Sequence, residues 1–407
     1  MATKTPFEGD VEQRRREAVK EKLQFSEMAL RHKLGVFGLV ALALLPTVLK
    51  PLELSEFTYV LFLMMFAMSW DVVSGYTGQL SFGHAFFFAI GGYGTSVLSS
   101  QHGVPVFLSI ILATILAAIG GVLIGVPALR LSGPYLSLVT LIAPLLLYQS
   151  FILFSEGTFF APDGLGGTSG LTEQPPQLVG LGSGAVIQVG EFWIREVGKY
   201  YVAFIALLIV LAVCYAVTRS SAGSVFTAIR EDEDAVRSSG LNPAKFKMFA
   251  FVLSAAVGGF AGAVWMHAGG FPNTENLFGP GRIDLSVNVI VMAIIGGMGT
   301  IVGAVVGATL FAFAQVVVSS LTFQVPGIGI QFADLAPLPT FFFAMLILVF
   351  MPRGVVPEGI DRARYLLARY RGEEPPERVG GEGNSAGDSV IKKYRREIEE
   401  ILGRDNK

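Results

Sequence analysis

The chain has 407 residues, 52% of them hydrophobic and only 15% charged, and its mean hydropathy is positive. Soluble domains carry nearer a quarter of charged residues, so this is the composition of a polytopic membrane protein. A formal net charge of -2 favours neither nucleic acid nor an anionic surface as partner, and the single cysteine, Cys214, excludes an internal disulfide.

Residues 1–35 are charged and precede any apolar run, which predicts no cleavable signal peptide and makes the first span the insertion signal. Apolar runs that cross a bilayer, or nearly so, follow at 36–50, 57–74, 81–99, 104–127, 134–154, 200–217, 246–267, 286–298, 300–321 and 337–351. The stretch 286–321 reads either as one bent helix or as two spans hinged at Gly296-Gly297-Met298-Gly299. Arg14, Arg15, Arg16, Lys20 and Lys22 place the N-terminus in the cytoplasm, and Arg353, Arg362, Arg364, Arg369 and Arg371 do the same for the C-terminal tail. Both ends inside require an even number of crossings, so about ten transmembrane helices are expected. The predicted fold class is an all-α polytopic membrane protein in the plasma membrane. Its parts are a cytoplasmic N-terminal segment (1–35), a transmembrane domain (36–357) and a cytoplasmic tail (358–407).

Residues 155–199, rich in Gly and Pro, are expected to form the main external segment, ending in an aromatic interfacial piece at Phe192-Trp193-Ile194. The loop 218–245 then falls on the cytoplasmic side, yet it is written like a short capped helix over 224–239. Ser224 is the expected N-cap and Gly240 the C-cap, and Asn242-Pro243 starts the next helix. Phe226, Ile229 and Val236 give this helix one apolar stripe. The acidic run Glu231-Asp232-Glu233-Asp234 argues against lipid headgroups as its resting place. A protein partner with a groove for the stripe is the expectation. In the tail, residues 372–389 read as a flexible linker, and Ile391, Tyr394, Ile398, Ile401 and Leu402 share one face of a short amphipathic helix.

Ionisable residues inside spans are expensive, and few occur here. Asp71 ends the second span, and His84 begins the third beside Gln79 and Ser81. One reading is a polar patch on a substrate pathway formed by Gln79, Ser81, His84 and Tyr93, with backbone amides meeting a substrate carboxylate. The other is a capped helix end with interhelical hydrogen bonds. His267 reads as an interfacial residue. Gly258 with Gly262, and Gly299, Gly303 and Gly307, recur at four-residue spacing and predict close helix packing, within the chain or against a second one.

The short-helix segment Asp234-Ala235-Val236-Arg237-Ser238-Ser239-Gly240 resembles the cytoplasmic Glu-Ala-Ala-x-x-x-Gly loop of ATP-binding cassette (ABC) importer permeases, with Asp in place of Glu and Val in place of the second Ala. The string 228–235 is similar to the version in branched-chain amino acid permeases of the LivM type. Four further segments agree with that family in order: Gly75-Tyr76-Thr77-Gly78-Gln79-Leu80-Ser81-Phe82-Gly83-His84-Ala85; 127–136, with its Ser132-Gly133-Pro134-Tyr135 turn; Gly296–Thr300; and Met351-Pro352-Arg353-Gly354. The resemblance covers 36–357. Ile142-Ala143-Pro144 stands where family members often carry Gly-Phe-x-Glu, so a role for an acid in the fifth span does not carry over.

What the resemblance implies is a permease subunit of an importer for branched-chain or related apolar amino acids. Its implied partners are a second homologous permease chain, two ABC ATPase subunits and an extracytoplasmic substrate-binding protein. Ile229, Arg230, Glu231, Asp234, Ala235 and Gly240 are the implied ATPase-coupling residues. No Walker A pattern, metal pair or nucleophile elbow occurs in the sequence, so no cofactor, no metal and no catalytic residue is expected, and the chain is expected not to be an enzyme. A urea or short-amide permease is the alternative within the class. An ion-coupled secondary transporter is the alternative outside it, disfavoured by the scarcity of intramembrane ionisable groups.

Overall fold

A computed structural model describes residues 30–371 apart from 132, 181–184, 280–283, 322, 325–330 and 332–336. The flexible linker and amphipathic helix expected beyond 371 lie outside the described residues. The chain divides into two compact units, Met1–Lys50 and Pro51–Lys407. In the first, helix α1 (Leu30–Leu44) runs into a short 3-10 turn at Leu45–Thr47, where Pro46 takes the first-turn position that needs no N–H.

The second unit begins with α2 (Pro51–Trp70), α3 (His84–Ser100), α4 (Val106–Ala128), α5 (Pro134–Leu153) and α6 (Phe192–Thr218). Two short helices, α7 (Ser221–Glu231) and α8 (Glu233–Ser238), precede α9 (Pro243–His267). The remainder is α10 (Thr274–Phe278), α11 (Asp284–Gly296), α12 (Ile301–Ser320), α13 (Pro337–Phe350) and α14 (Val355–Arg371). All ten predicted apolar runs fall on helices. Six of these, α2, α4, α5, α6, α9 and α12, are long and apolar enough to cross a membrane by themselves, and the α13–α14 pair, bent by 41°, makes a seventh candidate. The other runs form helices of 17 residues or fewer (α1, α3 and α11). The hinge expected at 296–299 is present: α11 and α12 are separate helices. Helix α14 runs through position 357, the expected end of the transmembrane domain.

Helix α2 is the centre of the bundle. Phe62, Phe66 and Trp70 on it are fully buried, and its polar Ser69 is buried with them. By contrast, α4 turns Phe107, Ile111, Ile115 and Leu123 outward, a stripe at helical spacing suited to lipid. Small residues set the close crossings. An added Cβ at Gly262 would strike the Phe88 carbonyl, one at Gly258 would sit 3.2 Å from Ser69 Oγ, and one at Gly307 would strike the Met292 carbonyl between α12 and α11. Gly303 faces Thr300 Oγ1 and the Gly296–Gly297 backbone in the same junction.

The described residues of the segment between α5 and α6 are irregular, as its Gly and Pro content predicts, apart from a two-residue parallel pair, β1 (Val179–Gly180) and β2 (Ile187–Gln188). Phe192 opens α6 directly, so the expected interfacial piece is the first turn of that span. His267 is not interfacial. It is fully buried, with Nδ1 2.6 Å from the Pro176 carbonyl and Nε2 2.8 Å from Thr95 Oγ1. Both ring nitrogens of His267 are paired, and the pairing ties the irregular segment to α3 and α9.

Candidate functional site

The polar loop after α6 is helical, but as two helices rather than the single one expected over 224–239. Asp232 leaves helical geometry (φ -156°, ψ 102°), and its Oδ1 accepts the Ala235 N–H at 2.9 Å, which caps α8. The N-cap position of α7 is Ser220, not Ser224, and its Oγ donates backwards to the Val217 carbonyl at 2.7 Å. An acid in the middle of a charged run thus serves as a second start signal, which periodicity alone conceals. Gly240 follows α8 at φ +86°, the left-handed conformation that favours glycine, and its N–H closes on the Arg237 carbonyl.

The apolar stripe of these helices faces their own chain. Phe226, Ile229 and Val236 are buried, and Phe226 packs near Phe249 of α9 with ring centroids 6.0 Å apart. The expectation that a partner's groove receives the stripe is therefore corrected. Amphipathic spacing shows that one face is buried, not what covers it. The cover is the start of α9, where Lys247, only 7% exposed in its side chain, also holds both Glu233 carboxylate oxygens at 3.0 and 2.9 Å. What remains open to a partner is the opposite face. Asp234 and Arg237 pair across it at 3.0 Å with side chains 87% and 64% exposed, and Ala235 and Glu231 lie exposed beside them.

Arg230 points the other way. Its Nη1 donates to the Gly75 carbonyl at 2.7 Å. Gly75 ends a five-residue π-turn, Asp71–Gly75, that continues α2, and such bulges recur at functional positions. Fully buried Asp71 accepts the Gly299 N–H on Oδ1 at 2.7 Å. Gly299 sits at φ +80°, and a Cβ there would lie 2.5 Å from Arg230 Nη1 and 3.0 Å from the Gly75 oxygen. One guanidinium, one carboxylate and two glycine backbones thus lock α7, the end of α2 and the α11–α12 junction together.

The other segments with family resemblance converge on the same end of the bundle. Gly78 abuts the Arg230 side chain. Leu80 O accepts from Ser137 Oγ at 2.9 Å, and Phe82 N–H donates to Thr140 Oγ1 at 3.1 Å, which joins the loop before α3 to the start of α5. The Gly354 backbone rests on Gly297. Separate in sequence, these segments form one cluster in space.

Of the four residues assigned to a pathway, Gln79 borders a cavity and Ser81, His84 and Tyr93 are buried. Gln79 lines a cavity of about 600 Å3 with Gly133, Pro134 and Ser137. His84 is fully buried, its Nε2 within 3.0 Å of Ser69 Oγ and 2.9 Å of Ser254 Oγ, so it cross-links α2, α3 and α9. Ser81 is buried and its carbonyl accepts from Trp70 Nε1 at 2.7 Å. Tyr93 is buried and stacks on Phe151 at 4.0 Å. Thr140, Ser254 and Lys247, which bind this architecture together, carried no sequence signal beyond being polar within or beside apolar runs.

An all-α bundle with several apolar helices long enough to cross a membrane is the architecture of a multi-pass membrane protein. Residues 54–351 match the family described as branched-chain amino acid transport system / permease component, and the chain belongs to that family. It is 28% identical over 364 residues to the high-affinity branched-chain amino acid transport system permease protein LivM of Escherichia coli (strain K12), with 85% of this chain and 80% of that protein covered. The LivM protein of Salmonella typhimurium is 27% identical over the same length, with the same coverage. Among solved structures, a chain of PsaBC from Streptococcus pneumoniae in complex with Fab is similar with a TM-score of 0.37 and 12% identity, covering 74% of this chain and 92% of that one.

Proposed function

We propose that this chain is the permease subunit of an ABC importer that moves branched-chain and related apolar amino acids across the plasma membrane, driven by separate ATPase subunits. The observation that carries the coupling reading is the Arg230–Gly75 hydrogen bond. It gives the short exposed helices a direct hold on the end of the central span α2. ATPase closure would press on the open face of α8, around Asp234, Ala235 and Gly240, and on Glu231. Arg230 and buried Ile229 would carry that movement into the α2 end and the α11–α12 junction. A second homologous permease chain and a substrate-binding protein outside complete the proposed assembly, with both termini cytoplasmic. On this reading 1–35 and 358–407 flank a permease domain of 36–357. The glycine faces at Gly258, Gly262, Gly303 and Gly307 serve packing inside the chain, and of the proposed pathway residues Gln79 has the most open position.

The experiment is ATP-driven uptake of leucine and of urea by vesicles holding this chain with its permease partner, ATPases and binding protein. Arg230→Gln inserts normally and lowers leucine uptake about tenfold or more, the loss expected when a charge-assisted hydrogen bond disappears, while ATP hydrolysis continues. Uptake that follows an ion gradient without ATPases refutes the ABC reading, and uptake of urea alone moves the cargo to the short-amide class.

A further inference from the structure

Helix α14 lies beyond residues 54–351, which match the family, and the transport cycle proposed above makes no use of it. It follows α13 across a bend of 41°. Its first turn is seated on the α11–α12 junction, where a Cβ added at Gly297 would lie 2.5 Å from Pro357 Cδ. The faces of the helix are reversed from those of a soluble one. Ala368 is buried, only 7% exposed, whereas Leu366 and Tyr370 are 63% and 91% exposed. Each of the two stands about 200° from Ala368 around the helix, so the apolar face looks away from the bundle. Charge borders that face. Asp361 pairs with Arg353 Nη1 at 3.1 Å and Glu358 with Arg362 Nη2 at 3.4 Å, so both acids of the helix are answered locally. Arg364 and Arg369 are exposed, with no ion pair among the described residues, and Arg371 closes the helix. Glu373 and Glu374 follow in the sequence, outside the described residues.

We propose that the outer half of α14, residues 362–371, rests on the headgroups of anionic phospholipid in the membrane that holds the chain. Helix α13 has 14 residues. That is about 21 Å at the helical rise, short of a hydrocarbon core of roughly 30 Å. Apolar Val355 and Val356 extend it past the bend, so the charges of α14 begin where the headgroups do. Leu366 and Tyr370 enter the interface, where a tyrosine keeps its ring in an apolar place and its hydroxyl in water. Arg364 and Arg369 flank that face and reach lipid phosphates, with their stems along the apolar surface. The helix dipole accounts for basic residues in a last turn, but not for Arg364 or for the exposed Leu366 and Tyr370. A groove on an ATPase subunit is the competing cover. The position of the helix, one bend beyond a membrane helix, favours lipid. This reading rests on the chain being a membrane protein and not on its cargo.

The test uses the full-length chain in lipid nanodiscs, with Cys214→Ser and with Leu366→Cys carrying a bimane fluorophore. In discs rich in phosphatidylserine, nitroxide-bearing lipids quench the bimane and aqueous acrylamide does not reach it. In pure phosphatidylcholine discs, or at high salt, the lipid-quenched fraction falls. Arg364→Gln and Arg369→Gln each lower the ratio of membrane-bound to free helix about fivefold. Arg364→Lys and Arg369→Lys retain it, because a surface field reads charge and not the guanidinium fork. Bimane equally open to acrylamide in both lipids overturns the proposal, as does quenching indifferent to lipid charge and to both glutamine replacements. Shielding that appears only when ATPase subunits are added gives the face to a protein and also overturns it. If the label or Cys214→Ser disturbs the fold, hydrogen exchange of the unaltered chain decides, through protection of 362–371 in phosphatidylserine discs and its loss in phosphatidylcholine discs. Neither cargo nor ATP enters this measurement, so its result and that of the uptake experiment stand apart.

Discussion

The two ends of the bundle are built from different materials. Around Arg230 the contacts are backbone to side chain and backbone to backbone. Gly75, Gly297, Gly299 and Gly354 let main chains touch, and the Arg230 guanidinium and the Asp71 carboxyl group are placed against a carbonyl and an amide. Around Lys199 the polar groups are side chains, and they border an open cavity. A junction closed by main chain has few ways to deform, so it moves as a unit and suits the passing of force. An open cavity bordered by side chains can change shape without moving the main chain.

The sharpest way to break the tight end is Gly299→Val. A side chain at φ +80°, aimed at Arg230 and the Gly75 carbonyl, adds about 1–3 kcal/mol of backbone strain before any clash. The expected outcome is a clearly lowered thermal unfolding midpoint in detergent together with loss of uptake. The same substitution at Gly35, where an added Cβ meets nothing within 4 Å, leaves both unchanged. A smaller effect is expected for Asp232→Ala, which removes the cap of α8 and costs about 1 kcal/mol locally. Hydrogen exchange at the Ala235 amide accelerates while the α2 amides stay protected; acceleration throughout α2 would mean that the short helices are part of the core rather than a lever on it. The smallest effect belongs to Arg237→Ala. Its ion pairs to Asp234 and Glu233 are solvent-exposed and contribute less than about 1 kcal/mol, so stability in denaturant barely moves, and a loss of ATPase docking without a loss of stability sharpens the assignment of this face to a partner.

Much of the architecture was legible because the bilayer is a demanding solvent: apolar length marks each helix, and every predicted run lies on one. The helical loop after α6 was legible through its turn residues, Gly240 above all. Its break at Asp232 was not, since an acid inside an acidic run looks like solvated surface until its side chain is seen on the Ala235 amide. The direction of the Phe226–Ile229–Val236 stripe was hidden for a related reason, because a repeat fixes a face and not its neighbour. Asp71 was conspicuous as a carboxylate in a span, yet its partner lies 228 positions away, and hydropathy carries no trace of so distant a backbone amide. Glu196 and Lys199 drew no notice at the mouth of α6, where charged residues are ordinary.

By itself the sequence determined the class of protein, the places of the apolar helices and the family, because hydropathy and short ordered motifs are local properties of the chain. Only the tertiary structure decided that His84 is a cross-link between three helices, that Arg230 reaches inward to Gly75 while Asp234 faces out, and that one buried glutamate must answer two cations beside an open cavity. Those are pairings between distant residues. They follow from which helix faces meet, and the free energy that selects those faces belongs to the packed bundle and not to any one segment.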